Sequence, residues 1–147
     1  MTENIATSQL DPADLLRQAG LRVTAGRVAV IKHLQSNPHT NADNLLIHVR
    51  QEIGAMSRQA MYDALHALAD AGVVRVAQLD QRSVLYEINH GDNHHHLVCR
   101  SCGQIEDVPC AIGHAPCLEP VIDHGFLVDE AEVIYRGTCA SCLAAAK

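Results

Sequence analysis

Ser57-Arg58-Gln59-Ala60-Met61-Tyr62-Asp63-Ala64-Leu65-His66-Ala67-Leu68-Ala69-Asp70-Ala71-Gly72-Val73-Val74-Arg75-Val76 reads as one helix with both of its ends encoded, followed at once by a strand. Ser57 is a capping residue ahead of the first turn, and Gly72 is a stop after the last. Met61, Leu65, Leu68 and Ala69 recur at helical spacing and are expected to face inward. Arg58, Tyr62 and His66 lie one turn apart on another face, with Gln59 beside them. Val73–Val76 and Ser83–Ile88 read as two strands, and Leu79-Asp80-Gln81-Arg82 as the turn between them.

Working upstream, Asp11-Pro12 is an N-cap followed by a proline suited to the first helical position. That helix should pass through Leu15 and Leu16 and end at Gly20. Thr24 caps a second helix, with Val28, Ile31 and Leu34 inward, that ends near Asn37-Pro38. Asn41 caps a third, whose Ala42, Leu45, Leu46, Val49 and Ile53 mark one buried face before Gly54. Several short helices and then a hairpin is the order of a winged helix-turn-helix. A plain helical domain without a ligand has the same order. What favours DNA is Arg58 and Gln59 in the first turn of the fourth helix, where a recognition helix points at guanine and adenine edges.

The chain has 147 residues, enough for one domain or two small ones. With no Trp and a single Phe, any core is aliphatic. No run of apolar residues is long enough for a bilayer, and Met1-Thr2-Glu3-Asn4-Ile5 does not read as a signal peptide. A cytoplasmic location is expected, in which six cysteines point to metal or redox thiols before disulfides. Residues 1–80 hold 7 Lys+Arg against 8 Asp+Glu, and residues 81–147 hold 4 against 9. An acidic chain binds DNA poorly through charge alone. The near-neutral N-terminal part is therefore the one expected to meet DNA.

Asn89-His90-Gly91-Asp92 reads as a hinge between residues 1–88 and 93–147. Beyond it, segments around His94–Cys99, Ile105–Val108 and Glu132–Tyr135 alternate, with a helix expected near Pro116–Asp123. The fold class is thus α+β, with a winged-helix domain followed by a small α/β unit.

Cys99-Arg100-Ser101-Cys102 and Cys139-Ala140-Ser141-Cys142 each set two thiolates on one turn, which Gly103 eases in the first pair. Four sulfurs are the complement of a tetrahedral structural zinc with no open position, so no catalysis is expected there. Cys110 and Cys117 stand outside this pattern as ordinary thiols. Just ahead of the first pair stand His94, His95 and His96. On a strand His94 and His96 face one way and His95 the other, and the first two are about 7 Å apart along the strand. Asp107 on the next strand is a plausible carboxylate partner. Nitrogen and oxygen ligands without sulfur suit Fe(II), Mn(II), Zn(II), Ni(II) or Co(II).

These residues together resemble the ferric uptake regulator family over nearly the whole chain. The resemblance rests on Gly20-Leu21-Arg22-Val23-Thr24 with Arg27, on Ser57–Tyr62, on Ala71–Val74, on Asp92–Gly103, and on the Cys139/Cys142 pair. The wording of Asp92–Gly103, with Cys110, Cys117 and Asp129–Tyr135, is most similar to the A branch of that family. That branch is associated with catalase-peroxidase genes and peroxide response. The resemblance implies a non-enzymatic, metal-dependent repressor that binds a palindromic double-stranded DNA operator as a homodimer, with dimerisation and metal binding in the C-terminal half. It implies Zn(II) on Cys99, Cys102, Cys139 and Cys142, and regulatory Fe(II) or Mn(II), for which Zn, Ni or Co can substitute, on His39, Glu87, His94, His96 and Asp107. A further metal site would use His95, His114 and Glu130, and Arg22, Arg58, Gln59 and Tyr62 would contact DNA.

An iron-only, nickel- or zinc-responsive regulator of the same family is the nearest alternative. The zinc-sensing branch places a cysteine among its ligands near the hinge, and none occurs between Met1 and Val98. A zinc hydrolase would need an open metal position beside a general base and would leave the helix-turn-helix unexplained, and a zinc-ribbon interaction module is the reading that failure to bind any palindromic operator with every metal would favour. One departure is local: Ala25-Gly26 precede Arg27, where the family commonly has a basic residue and proline. A lost phosphate contact and a looser helix start are expected from it.

Overall fold

A computed structural model of the chain describes residues 10–79, 83–110 and 119–146. The last three residues of the expected hairpin turn, together with His114 and Cys117, lie outside them. Two compact units are present, Met1–Gly91 and Asp92–Lys147. No helix among the described residues is long and apolar enough to cross a membrane.

In the first unit the encoded caps set the helix starts. Asp11 accepts from the amides of Ala13 and Asp14 and opens α1, Pro12–Gln18, with proline at its first position. Thr24 Oγ1 accepts from the Arg27 amide at 3.3 Å and opens α2, Ala25–Ser36. The helix therefore starts normally despite Gly26. A Cβ added at Gly26 would stand 3.1 Å from the terminal methyl of Met56, so the glycine admits that side chain rather than loosening the start. Asn41 Oδ1 accepts from Asn44 and opens α3, Ala42–Ile53. Ser57 Oγ accepts from the Ala60 amide at 3.0 Å and opens α4, Arg58–Asp70. Gly72, at φ 72°, is in the left-handed region that glycine adopts without a Cβ penalty, and it turns the chain out of α4 into the wing.

Leu16, Ile31, Leu34, Leu45, Val49, Met61, Leu65 and Leu68 meet in one core, joined by Val74 and Ile88 from the sheet. Each such aliphatic side chain contributes about 1.5–3 kcal/mol by leaving water. The inner face of α4 differs from expectation at one position. Ala64 is buried and Ala69 only half so, because the buried stripe runs through Met61, Ala64, Leu65 and Leu68 at spacings of three, one and three. On α2, Ala29 and Val30 are buried beside Ile31 and Leu34, whereas Val28 is only partly covered. Replacing Ser57 by Ala removes the only side-chain cap of α4, and urea denaturation is expected to show a loss of about 1 kcal/mol.

The wing has one more strand than the hairpin. β1, Thr40–Asn41, pairs antiparallel with β3, Leu85–Ile88, which also pairs antiparallel with β2, Val74–Ala77. The sheet order is β1-β3-β2.

The second unit is a sheet of order β5-β4-β6 with a short terminal helix. β4, His95–Cys99, is central; β5, Ile105–Val108, runs antiparallel to it and β6, Ile134–Gly137, parallel. The last strand thus begins two residues later than Glu132, and α5, Ala140–Ala145, follows it unanticipated. The helix expected near Pro116–Asp123 is absent from its described part, Glu119–Asp123. Pro120 has no amide to donate, and Asp123 instead starts a turn. Its Oδ1 accepts from the Gly125 amide at 2.8 Å and its carbonyl from Phe126 at 3.0 Å. His124 and Gly125 take φ 52° and 82° in that turn.

Candidate metal centres and DNA-facing residues

The cysteine site is built by one knuckle, one strand and one helix start. β4 delivers Cys99, whose amide donates to the Gln104 carbonyl at 2.9 Å, and the Gly103 amide donates back to the Cys99 carbonyl at 3.0 Å. Gly103 has φ 78°, so the tight turn requires a residue without Cβ. The Arg100 amide donates to Gly137 at 2.8 Å and ties the knuckle to β6. β6 leads to Cys139, which caps α5, with Cys142 in that helix's first turn.

The four sulfurs lie within 4.8 Å of one another. Cys102 Sγ and Cys139 Sγ are 3.7 Å apart, far beyond a disulfide's bond of about 2.05 Å. Zn–S bonds of about 2.3 Å in a tetrahedron put sulfurs about 3.8 Å apart, so the spacing fits zinc. The protonation chemistry agrees. Backbone amides, first that of Cys102 and then that of Cys139, hold the Cys99 thiol down to about 6. The Cys142 thiol is pushed up to about 12, chiefly by its hydrogen bond with Cys139. Four crowded sulfurs cannot all ionise without a cation among them, and a dication satisfies that donor set.

A second group of donors sits at the end of the wing sheet of the first unit. Thr40 pairs with Tyr86, and this register brings His39, the residue before β1, to Glu87. His39 Nε2 stands 2.9 Å from Glu87 Oε2, and both side chains are largely buried. His39 has φ 60°, a left-handed conformation that is uncommon outside glycine and stores strain at sites that require it. Opposite Glu87 in the β2–β3 register is Arg75, whose Nε donates to Glu87 Oε1 at 3.0 Å. Sequence reading did not single out Arg75; its signal was its place across from Glu87 in the hairpin.

In the second unit His96 pairs with Asp107 across β4 and β5. His96 Nε2 is 3.4 Å from Asp107 Oδ1, and His94 Nε2 is 3.7 Å from the same oxygen. The two rings meet edge to face at 4.8 Å. His94 and His96 therefore share a face, as alternation requires, with their Nε2 atoms converging. Their Nδ1 atoms also meet carboxylates: His94 Nδ1 is 3.2 Å from Asp92 Oδ1, and His96 Nδ1 is 3.1 Å from Glu132 Oε1. Nitrogen and carboxylate donors converging at this range fit a divalent first-row ion.

His95 turns the other way and is buried. Its Nδ1 accepts from the Val133 amide at 3.1 Å, which places the neutral ring's proton on Nε2. Glu130 is exposed, and His114 lies outside the described residues.

Of the residues expected to meet DNA, Arg22, Arg58 and Gln59 are exposed and Tyr62 is half-buried. Arg58, in the first turn of α4, is ion-paired with Asp43 in the first turn of α3. Gln59 Nε2 donates to Asp63 Oδ1 at 2.8 Å, one turn on. The Arg22 carbonyl accepts from Arg27 Nη1 at 2.9 Å, which fixes the loop between α1 and α2. Arg58 and Gln59 are thus both held by exposed carboxylates, which contribute little in water and yield readily to a stronger partner.

Comparison with known proteins places these features in one group. The family model described as the ferric uptake regulator family matches residues 18–135. The transcriptional regulator FurA of Mycobacterium tuberculosis (strain ATCC 25618 / H37Rv) is 52% identical over 132 residues, covering 90% of each chain. The solved structure of the ferric uptake regulator from Francisella tularensis with iron is similar at a TM-score of 0.69 and 25% identity, covering 84% of this chain and 96% of that one. The Campylobacter jejuni peroxide stress regulator is similar at a TM-score of 0.66 and 27% identity, covering 90% of this chain and all of the other.

Proposed function

The chain belongs to the ferric uptake regulator family and is a metal-dependent transcriptional repressor, not an enzyme; on that premise we propose that it binds a palindromic operator as a homodimer when Fe(II) or Mn(II) is held by His39, Glu87, His94, His96 and Asp107. The observation that carries this reading is that each unit already gathers its own share of the ligands. His39 and Glu87 stand 2.9 Å apart in the first unit, and His94 and His96 converge on Asp107 in the second. A bound ion supplies a positive charge that both sets of donors favour. A ligand set divided between two units is complete in one relative orientation only, so binding selects that orientation by differential affinity. In a dimer of that orientation, two α4 helices meet successive major grooves, with Arg58 and Gln59 at base edges and Arg22 and Tyr62 alongside. Zn(II) on Cys99, Cys102, Cys139 and Cys142 holds the second unit together.

Several observations support the dimer and its regulation. Val121, Ile122, Phe126 and Leu127 are 102%, 67%, 77% and 95% exposed, an apolar surface suited to a second copy of the chain. The likeness to a peroxide stress regulator supports a peroxide response. In the iron-loaded protein one oxygen of the peroxide would end on the imidazole of His39 or His94 and the other leave as water, removing a ligand and releasing DNA. Catalase-peroxidase genes, or genes of iron and oxidative stress, are the targets this reading favours.

The test is metal content with operator titration for wild type and His94→Ala, with each metal and with and without peroxide. Wild type is expected to bind the operator with Fe(II) or Mn(II), or with a substituting Zn, Ni or Co ion, and not with the regulatory site empty. His94→Ala is expected to keep its zinc and bind at the metal-free level. Operator affinity indifferent to metal, or unchanged in His94→Ala, would sink the proposal.

A further inference from the structure

His94 and His96 are oriented alike, and the carboxylates behind them explain why. Each imidazole has Nε2 toward Asp107 and Nδ1 toward a different acid. Behind His94 that acid is Asp92, the first residue of the second unit, at 3.2 Å. Behind His96 it is Glu132, at 3.1 Å. Both imidazoles are more than nine-tenths buried, so their ring nitrogens depend on protein partners.

Glu132 is delivered by a backbone sewn to β4 on both sides of it. The Ala131 amide donates to Asn93 Oδ1 at 3.2 Å. The Val133 amide donates to His95 Nδ1 at 3.1 Å. The Val133 carbonyl accepts from the His96 amide, also at 3.1 Å. Asp92 reaches His94 from two residues away along the chain. An acid at one nitrogen of a histidine fixes the proton there, aims the other nitrogen's lone pair and raises its basicity.

We propose that Asp92 and Glu132 are positioning residues for the regulatory ion: Asp92 by its hydrogen bond at His94 Nδ1, and Glu132 by its charge 3.1 Å from His96 Nδ1, each favour the proton on that nitrogen and so commit the Nε2 atoms of His94 and His96 to the metal. Neither acid is itself a ligand. The inference rests on the reading that His94, His96 and Asp107 hold that ion, and it adds what makes their geometry ready before the ion arrives. It also distinguishes the three histidines in sequence. His95, whose Nδ1 accepts a backbone proton, has the opposite tautomer when neutral and serves the sheet.

The test titrates Mn(II) alone into the zinc-containing full chain and follows free Mn(II) by electron paramagnetic resonance. Asp92→Ala and Glu132→Ala are each expected to weaken Mn(II) binding about 10–100-fold, with zinc content unchanged. Asp92→Asn, which keeps an oxygen that can accept the same proton, is expected to recover part of the loss; a residue that only packed would show no such order. Unchanged Mn(II) affinity in both alanine variants, with affinity lost in His94→Ala, overturns the inference and leaves the ligand reading intact. Affinity unchanged in His94→Ala as well overturns both. Should a variant lose its zinc, nitrogen NMR of the metal-free regulatory site in wild type decides. Protons on Nδ1 of His94 and His96 uphold the inference, and protons on Nε2 overturn it.

Discussion

Removal of zinc by a strong chelator is expected to unfold the second unit and leave the first standing. The reason is the distribution of buried apolar surface. Leu16, Ile31, Leu34, Leu45, Met61, Leu65 and Leu68 are all fully buried in the first unit. Among the described residues of the second, the buried side chains are His94, His95, His96 and Cys99. Three imidazoles and a thiol do not amount to a hydrophobic core, and a sheet of three short strands without one is not stable in water. Structural zinc binds small modules with an apparent free energy of about 10–16 kcal/mol, comparable to the whole stability of a domain, about 5–15 kcal/mol. The knuckle links β4 to β6 through Arg100 and Gly137, and Cys139 donates its amide to Cys99 Sγ at 3.3 Å. Loss of the ion therefore releases both strands together. Amide hydrogen exchange should show protection of Leu97, Val98 and Tyr135 collapsing after chelation while Leu65 and Leu68 keep theirs. Cys102→Ser should do the same without a chelator. Unaltered protection along β4 in the zinc-free protein would show that something other than the four sulfurs holds the unit.

Arg75→Ala is expected to destabilise the first unit by about 3–5 kcal/mol, in the range for breaking a buried ion pair from one side. Glu87 is 3% exposed and Arg75 only 17%. Taking away the guanidinium leaves the buried Glu87 carboxylate beside His39 without its cation. Arg75→Lys keeps the charge but lacks the planar fork, so it should recover only part of the stability. The double variant Arg75→Met with Glu87→Leu removes both charges and should lose less stability than Arg75→Ala, because no buried carboxylate is left without its guanidinium. Urea denaturation of the three variants measures this. A loss below about 1 kcal/mol for Arg75→Ala would mean that water already reaches Glu87.

The two kinds of metal site differ in how they are encoded. Each Cys-x-x-Cys pair is local: the spacing alone puts two sulfurs on one turn, and only one pairing of pairs makes a tetrahedron. The face shared by His94 and His96 follows from the two-residue period of a strand. Asp107 could be named because both of its strands are legible as alternating segments, and the β4–β5 register then sets it opposite His96. The helix caps Asp11, Thr24, Asn41 and Ser57 act within three residues of themselves, which is why they were visible in the chain.

Other features have no local signature. β1 is two residues long, too short for any period to register, yet its pairing with β3 is what carries His39 to Glu87. The expected helix after Pro116 fails over Glu119–Asp123 because the Asp123 turn and Pro120 override the apolar residues between them. Arg75, Asp92 and Glu132 are charged residues of a kind that usually point into water. Their partners lie 12, 2 and 36 residues away, and strand pairing for the first and the return of β6 to β4 for the last bring those nitrogens and oxygens to bonding range. The chain's own spacing thus declares which atoms can bind metal, because neighbouring residues share a turn or a strand face whatever the rest does. That Glu132 stands behind His96, and Arg75 beside Glu87, is decided by non-local pairing, since a side chain's partner across a sheet depends on register and not on distance along the chain.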